Sequence, residues 1–154
     1  MKNKDQNSDI ATNRKAFFNF EILETHEAGI VLTGTEIKSL RQNGASLQEA
    51  FIKVLNNAVW LIGSYIAPYS HGNIYNHEEK RDRKLLMHKR EILKLHTLQQ
   101  EKGVALVPIA LYFKKGIVKL RIGVGRGKKL HDKREAIKTR DEKRRMDEAK
   151  KFGR

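Results

Sequence analysis

The sequence predicts a mainly β chain: an antiparallel β-barrel with two or three helices and a basic C-terminal tail. Three observations carry that expectation. Short stretches of period-two hydrophobicity recur along the middle of the chain, separated by turn residues. Lys and Arg number 32 against 18 Asp and Glu, a formal net charge of +14. Residues 126–154 hold thirteen basic and six acidic side chains, and their few apolar residues do not share one helical face.

Residues 1–12 are polar and read as a solvated lead-in. From Ala16 to Thr25, Phe18, Phe20 and Ile22 alternate with Asn19 and Glu21, the pattern of a half-buried strand. His26-Glu27-Ala28-Gly29 reads as a turn and Ile30 to Thr33 as a second strand, which together make a hairpin. Thr35 to Gln42 reads as a short helix: Ile37 and Leu40 are three apart, Glu36 sits where the helix dipole favours an anion, and Arg41 lies in the last turn. Asn43-Gly44 supplies its stop.

Strands follow over Phe51–Leu55 and Val59–Ala67, joined by Asn56-Asn57, residues that tolerate the positive φ of a tight hairpin. Residues 68–84 read as a loop. Pro68, Ser70, Gly72, Asn73 and Asn76 mark it, and Lys80, Arg81, Arg83 and Lys84 make its end basic; a loop of that length in a small domain is commonly functional or mobile. A helix from about His88 to Lys102 shows Ile92, Leu95 and Leu98 on one face, with Gly103 as its stop. Two last strands, Ala105–Phe113 and Ile117–Val124, flank a Lys114-Lys115-Gly116 turn. In the second of them Val118, Leu120, Ile122 and Val124 form a core face, while Lys119 and Arg121 point the other way.

Six short strands between residues 13 and 125 point to a closed or partly closed antiparallel barrel, of which the oligonucleotide-binding type is the obvious candidate. An open α+β sheet has the same periodicity. In the tail, Asp141/Arg145 and Asp147/Lys151 are four apart with the acid first, worth roughly 0.2–0.5 kcal/mol per pair. That is too little to hold an isolated helix, so the tail is expected to be disordered alone and helical when bound to something negative. The expected organisation is a lead-in at 1–12, a barrel domain at 13–125 and a tail at 126–154.

Composition narrows the function. With 39% apolar residues and eleven glycines the chain can bury a core. A charge of +14 is self-repelling without a polyanion, and nucleic acid fits better than membrane: no apolar run approaches the roughly 18–20 residues of a spanning helix, and the N-terminus lacks the apolar centre of a signal peptide. The chain has no cysteine, hence no disulfide framework, no Cys-ligated zinc and no thiol nucleophile. A cytoplasmic setting is expected.

Catalytic readings find little support. His71, His77 and His88 are spaced six and eleven apart with no HExxH and no carboxylate cluster beside them, so neither a metal nor any other cofactor is expected. Glu78-Glu79, set among basic residues, reads as charge balance. Gly123-Val124-Gly125-Arg126-Gly127 resembles a phosphate loop but precedes a tail rather than a packed helix, and reads as a flexible strand exit.

Binding has more to offer. Asn13, Arg14 and Lys15, the 80–84 segment, and Lys119 with Arg121 make one basic surface if the barrel joins them, with affinity that falls steeply with salt. Asn73, Asn76 and His77 can hydrogen-bond bases and 2′-hydroxyls, and Tyr69, Tyr75 and His77 can stack on unpaired bases. Loop packing and turn-making are equally open roles for these asparagines and tyrosines.

The runs Asn13-Arg14-Lys15-Ala16, Glu27-Ala28-Gly29-Ile30, Gly34-Thr35-Glu36-Ile37-Lys38-Ser39-Leu40-Arg41, Asn76-His77-Glu78, Arg83-Lys84-Leu85-Leu86 and Leu111-Tyr112-Phe113-Lys114-Lys115-Gly116, with Gly127-Lys128-Lys129 and Asp132-Lys133-Arg134, resemble the small protein B family, the SsrA-binding proteins of bacteria. The resemblance runs from about Ile10 to the end. It implies an oligonucleotide-binding-type barrel that binds the tRNA-like domain of transfer-messenger RNA. That RNA, aminoacylated and with elongation factor Tu, is brought to ribosomes stalled without a codon in the A site. It further implies that the tail meets small-subunit rRNA in the empty decoding centre and mRNA channel.

Carried onto this sequence, the resemblance assigns Asn13, Arg14, Lys15 and Glu36 to the RNA-binding surface and Asn76, His77, Arg83 and Lys84 to a basic loop. It assigns His131, Asp132, Lys133 and Arg134 to ribosome contact. Lys38, Arg41, Asn73, Arg81, Lys119 and Arg121 complete the barrel set, and Gly127, Lys128 and Lys129 the tail set. A carboxylate cannot pair phosphate, so Glu36 either accepts from a base or 2′-hydroxyl or holds neighbouring Arg side chains; the second role is preferred. Glu79 stands where the family usually has proline. A non-enzymatic, monomeric binder is expected. A structural ribosomal protein with a barrel and basic extension is the alternative, and a histidine-dependent RNA-processing nuclease a third reading.

Overall fold

The computed structural model describes residues 7–42, 44–72, 76–128 and 130–152. In chain order they form β1 (Asn7–Thr12), α1 (Arg14–Asn19), β2 (Phe20–Ile30), α2 (Gly34–Gln42), β3 (Ala45–Ser46), β4 (Phe51–Leu55), β5 (Ala58–Ile62), β6 (Tyr65–Ile66), β7 (Arg83–Leu86), α3 (Lys89–Gln99), β8 (Val104–Lys114), β9 (Ile117–Gly127) and α4 (Leu130–Phe152). The fold is mainly antiparallel β, as the periodicity requires. Seven strands pair in the order β1-β8-β9-β2-β7-β5-β4, and β3 pairs with β6 apart from them.

The sheet curls into a barrel-type wall around Val59, Leu61, Leu85, Leu111, Leu120, Ile122 and Val124, all almost wholly buried. It brings β4 back against β8, where α3 contacts both strands and inserts the fully buried Leu95. At this seam the Gln99 side chain takes the place of a strand. Its Oε1 accepts from the Val54 N–H at 2.8 Å and its Nε2 donates to the Val54 carbonyl at 3.1 Å, satisfying backbone groups that an edge strand otherwise leaves open.

The tight hairpins form where turn chemistry predicts them. Asn56 and Asn57 have φ of 51° and 60°, and Lys115 and Gly116 have 51° and 77°, the double positive φ of two-residue hairpin turns.

Elsewhere the structure corrects the sequence reading. The expected first hairpin is one continuous strand: His26, Glu27, Ala28 and Gly29 are each paired with β9, opposite Ile122, Arg121, Leu120 and Lys119. Gly29 gives cross-strand room rather than a turn: a Cβ there would lie 3.2 Å from the Leu86 Cβ, a tight contact. Phe18 belongs to α1, so its period-two spacing to Phe20 and Ile22 spans a helix–strand boundary. Half of the expected lead-in, Asn7–Thr12, is an edge strand on β8. Arg83 and Lys84, expected in a loop, begin β7 between β5 and β2.

The glycine run near the end is likewise ladder. Gly123 and Gly125 are buried within β9, and Cβ atoms there would meet Ile109 at 2.6 Å and Phe20 at 2.8 Å. These glycines let the outer face of β9 accept the Ile22, Ile109 and Phe20 side chains. β9 therefore runs on to Gly127, and the Lys128 N–H is held by the Asn19 carbonyl at 3.0 Å. Beyond it α4 extends as a helix whose described apolar residues, Ile137 and Met146, stay exposed.

Candidate nucleic-acid interface

Two polar clusters organise the charged residues, one inside the fold and one on its surface. The inner one starts at the first turn of α2. Glu36 Oε1 accepts from the Thr33 N–H at 2.9 Å while the Glu36 N–H reaches back to Thr33 Oγ1 at 3.4 Å, a reciprocal helix cap. The same carboxylate accepts from Arg81 Nη2 through Oε1 and from Arg83 Nε through Oε2. Glu36 and Arg83 are both 0% exposed. Burial alone would raise the Glu36 pKa, but the Thr33 N–H and the Arg81 and Arg83 guanidiniums outweigh it and hold the carboxyl below its ordinary value.

The other Arg83 donors are spent inside as well. Nη1 donates to the Ser64 carbonyl, Ser64 Oγ and the Arg81 carbonyl at 2.9–3.0 Å, and Nη2 donates to the Glu79 carbonyl at 3.1 Å. Arg83 thus ties the end of the long loop to the segment after β5.

Asn76 closes that loop at its neck, accepting from the Tyr69 N–H at 3.0 Å and donating to the Tyr69 carbonyl at 2.7 Å. His77 lies 3.0 Å from both Thr35 Oγ1 and the Ile66 carbonyl. A carbonyl only accepts, so Nε2 carries the proton. Glu79, where the resembled family has proline, accepts from the Ile66 N–H at 3.0 Å; its carbonyl does work that proline could also do.

The surface cluster lies on the outer face of β2, β8 and β9. Cross-strand pairing places Glu27 opposite Arg121, and Lys119 between Gly29 and Tyr112. The Tyr112 hydroxyl donates to Glu27 Oε2, Lys114 Nζ lies 3.2 Å from Glu27 Oε1, and the Arg121 guanidinium sits 5.0 Å above the Tyr112 ring. The Tyr112 hydrogen bond, with Lys114, keeps the Glu27 carboxyl below its ordinary value. Burial and the Glu27 carboxylate push the Tyr112 hydroxyl up to about 12. The result is one oriented acceptor among three cations, on a surface open to solvent. Beside it opens a cleft of about 390 Å³ lined by Glu27, Gly29, Leu86, Met87, His88, Glu91 and Lys119.

This placement divides the expected contact residues. Arg14, Lys15, Lys38, Arg41, Lys84 and Arg121 are exposed, and Lys119 is partly so. Lys38 Nζ stands 5.6 Å from the centre of the Tyr69 ring. Asn13, Glu36 and Arg83 are instead buried. Asn13 is 4% exposed, with its N–H on the Ile109 carbonyl at 2.7 Å and its Nδ2 on the Pro108 carbonyl at 3.0 Å; it anchors α1 to β8. Glu36 and Arg83, enclosed as described, brace the loop from within.

Asn76 and His77 spend their polar atoms on the loop, β6 and α2. Arg81 is intermediate, its side chain one-third exposed while it holds Glu36. Asn73 and Tyr75 lie outside the described residues, as does Lys129. Gly127 is exposed at the end of β9 and Lys128 partly buried behind it; His131, Asp132 and Lys133 fall in the first turns of α4, and Arg134 is exposed there.

Sequence reasoning gave Glu27, Gly29, Tyr112 and Leu86 no place in the RNA-binding set, and weighed His88 only as a metal ligand. The available signal was period two through Thr25, Glu27 and Gly29, which a turn assignment at that glycine erased.

The comparisons with known proteins agree with one another. Residues 10–152 match the model of the family described as SmpB protein. The SsrA-binding protein of Protochlamydia amoebophila (strain UWE25) is 60% identical over 146 residues, covering 95% of each chain. That of Chlamydia muridarum is 54% identical over 138 residues, 90% of this chain and 91% of the other. A chain from the solved structure described as "tmRNA-SmpB: a journey to the center of the bacterial ribosome" is similar with a TM-score of 0.68 and 41% identity, covering 84% of this chain and 95% of that one.

Proposed function

The chain belongs to the SmpB family, and on that premise we propose that it is a non-enzymatic RNA-binding protein that takes transfer-messenger RNA to stalled ribosomes for trans-translation. The barrel holds the tRNA-like domain. The tail occupies the empty decoding centre and mRNA channel, where it meets small-subunit rRNA. Elongation factor Tu joins indirectly, through the charged RNA, and the protein acts as a monomer in the cytoplasm. Among the described residues no helix is long and apolar enough to cross a membrane.

The observation that carries the barrel's part is the open face of β2, β8 and β9. Lys114, Lys119 and Arg121 supply phosphate partners, and the fixed Glu27 carboxylate supplies an acceptor that phosphate cannot use but a base amino group or 2′-hydroxyl can. Arg14 and Lys15, at the start of α1, extend the positive surface. In the tail, Lys128, Lys129, Lys133 and Arg134 pair rRNA phosphates and His131 stacks on a base. With no apolar face among its described residues, α4 gains its stability from that docking, and the free tail frays.

The test is binding of the full-length protein to two labelled RNAs, the tRNA-like domain of transfer-messenger RNA and an ordinary alanine tRNA, across a salt series. The expected result is a preference for the first that survives physiological salt. Equal binding that vanishes together as salt rises would reduce the protein to its +14 charge. For the tail, alanine at Asp132, Lys133 and Arg134 together is expected to spare binding to free RNA while abolishing tagging of stalled chains.

A further inference from the structure

Beyond the cleft, the outer face of β4, β5 and β7, exposed on β4 and β7 and half-buried on β5, has its own pattern. Directly paired residues in an antiparallel ladder share a face, so the pairings define rows across the three strands. Lys53 pairs with Trp60 and Trp60 with Lys84, which makes one row of an indole between two lysines. Phe51 pairs with Ile62 on one side of it and Leu55 with Ala58 on the other, with Leu86 two residues beyond Lys84 on the same face of β7. The intervening Ile52, Val54, Val59, Leu61 and Leu85 are buried, so the row faces outward. Phe51, Leu55 and Leu86 are 49%, 50% and 55% exposed.

We propose that this face is a stacking site for an unpaired nucleobase of RNA, with Trp60 beneath the base and Lys53 and Lys84 on the flanking phosphates. The proposal rests on reading the chain as an RNA binder and adds a site which that reading does not contain. Charge complementarity selects the occupant. Lysine is depleted from the cores of protein–protein interfaces, yet here two lysines bracket the central aromatic residue. An aromatic ring flanked by cations on a sheet surface is the arrangement that holds single strands, where each stacked base contributes without regard to its identity. The ladder fixes the spacing: neighbouring strands lie about 4.8 Å apart, so the two lysine stems flank the indole at strand distance. Leu86 belongs both to this face and to the cleft beside Glu27, which makes the stacking site a lateral continuation of the proposed RNA surface.

Trp60 is the only tryptophan of the chain, so its emission reports this site alone. The full-length protein is titrated with an end-labelled decaadenylate RNA and, separately, with inorganic polyphosphate of matching charge. The expected result is saturable quenching of Trp60 by the adenylate and little by polyphosphate. In a Lys53→Ala/Lys84→Ala variant the adenylate midpoint rises about tenfold with the same final quenching. Followed through the RNA label, Trp60→Phe keeps its affinity and Trp60→Ser loses about tenfold, with circular dichroism confirming that both remain folded.

Adenylate that binds by its label while Trp60 stays silent overturns the stacking site, leaves the proposed function standing, and gives the face to a protein partner. Identical responses to the adenylate and polyphosphate overturn it too. Quenching by the adenylate with no preference for the tRNA-like domain upholds the stacking site while the proposed function fails.

Discussion

Glu36 and Glu27 are nine residues apart, each is ringed by arginine, lysine or hydroxyl donors, and the fold puts them to opposite uses. Glu36 is sealed beneath the loop with the wholly buried Arg83, and Arg81, one-third exposed, closes over it. Glu27 stands on the outer face with Tyr112 and Lys114, and its surroundings stay wet. A buried ion pair contributes little net stability as formed, yet losing one member strands the other charge in the core. An exposed pair contributes little in either sense, which leaves its charges free to act on a partner. One region therefore holds the scaffold's shape and the other is the one proposed to present its chemistry, although their amino-acid compositions are alike.

The largest effect expected from this contrast is on stability. Glu36→Gln leaves Arg83 buried without its counter-charge and is expected to cost about 3–5 kcal/mol, read from urea unfolding. The acid limb carries the same signature. Because the folded-state pKa of Glu36 lies below its ordinary value near 4.5, its contribution is fully present above that value and lost as pH falls through the lower one. Wild-type stability measured between pH 7 and pH 3 is expected to fall over that window, and the Glu36→Gln profile to be flatter.

Next in size is Glu27→Gln, expected to change stability by no more than about 0.5 kcal/mol while reducing the preference for the tRNA-like domain over alanine tRNA by roughly tenfold, the worth of one charge-assisted hydrogen bond. Total RNA affinity at low salt is expected to hold, since a negative charge has been removed. Asn76→Ala severs the two bonds at the loop neck and is expected to cost about 1–2 kcal/mol, again by urea unfolding. Smallest is the salt response: Lys119→Ala with Arg121→Ala is expected to lower the slope of log affinity against log salt by about 1–2. An unchanged slope takes those side chains off the phosphates.

The sequence made legible what local chemistry decides. The α2 helix, the Asn56-Asn57 and Lys115-Gly116 turns and the alternation of β9 all follow from residues within a few positions of one another. What it concealed was decided across strands. Gly29 reads as a turn because glycine often is one, but its absent side chain makes room for Leu86, and that mistake hid Glu27. Gly123 and Gly125 read as a flexible exit and are instead the places where Ile109 and Phe20 pack closest. Arg83 reads as a surface cation because charge usually means surface; only the converging Glu36, Ser64 and Glu79 acceptors, drawn from three separate segments, show that it is inside.

The most direct test of this division runs Glu27→Gln and Glu36→Gln side by side, measuring urea midpoint and RNA preference for each at a temperature where both are folded. A crossed result is expected: Glu27→Gln loses preference at an unchanged midpoint, and Glu36→Gln loses midpoint at an unchanged preference. Loss of preference in folded Glu36→Gln, with Glu27→Gln indistinguishable from wild type, would place RNA recognition at the loop and contradict the assignment of the open face.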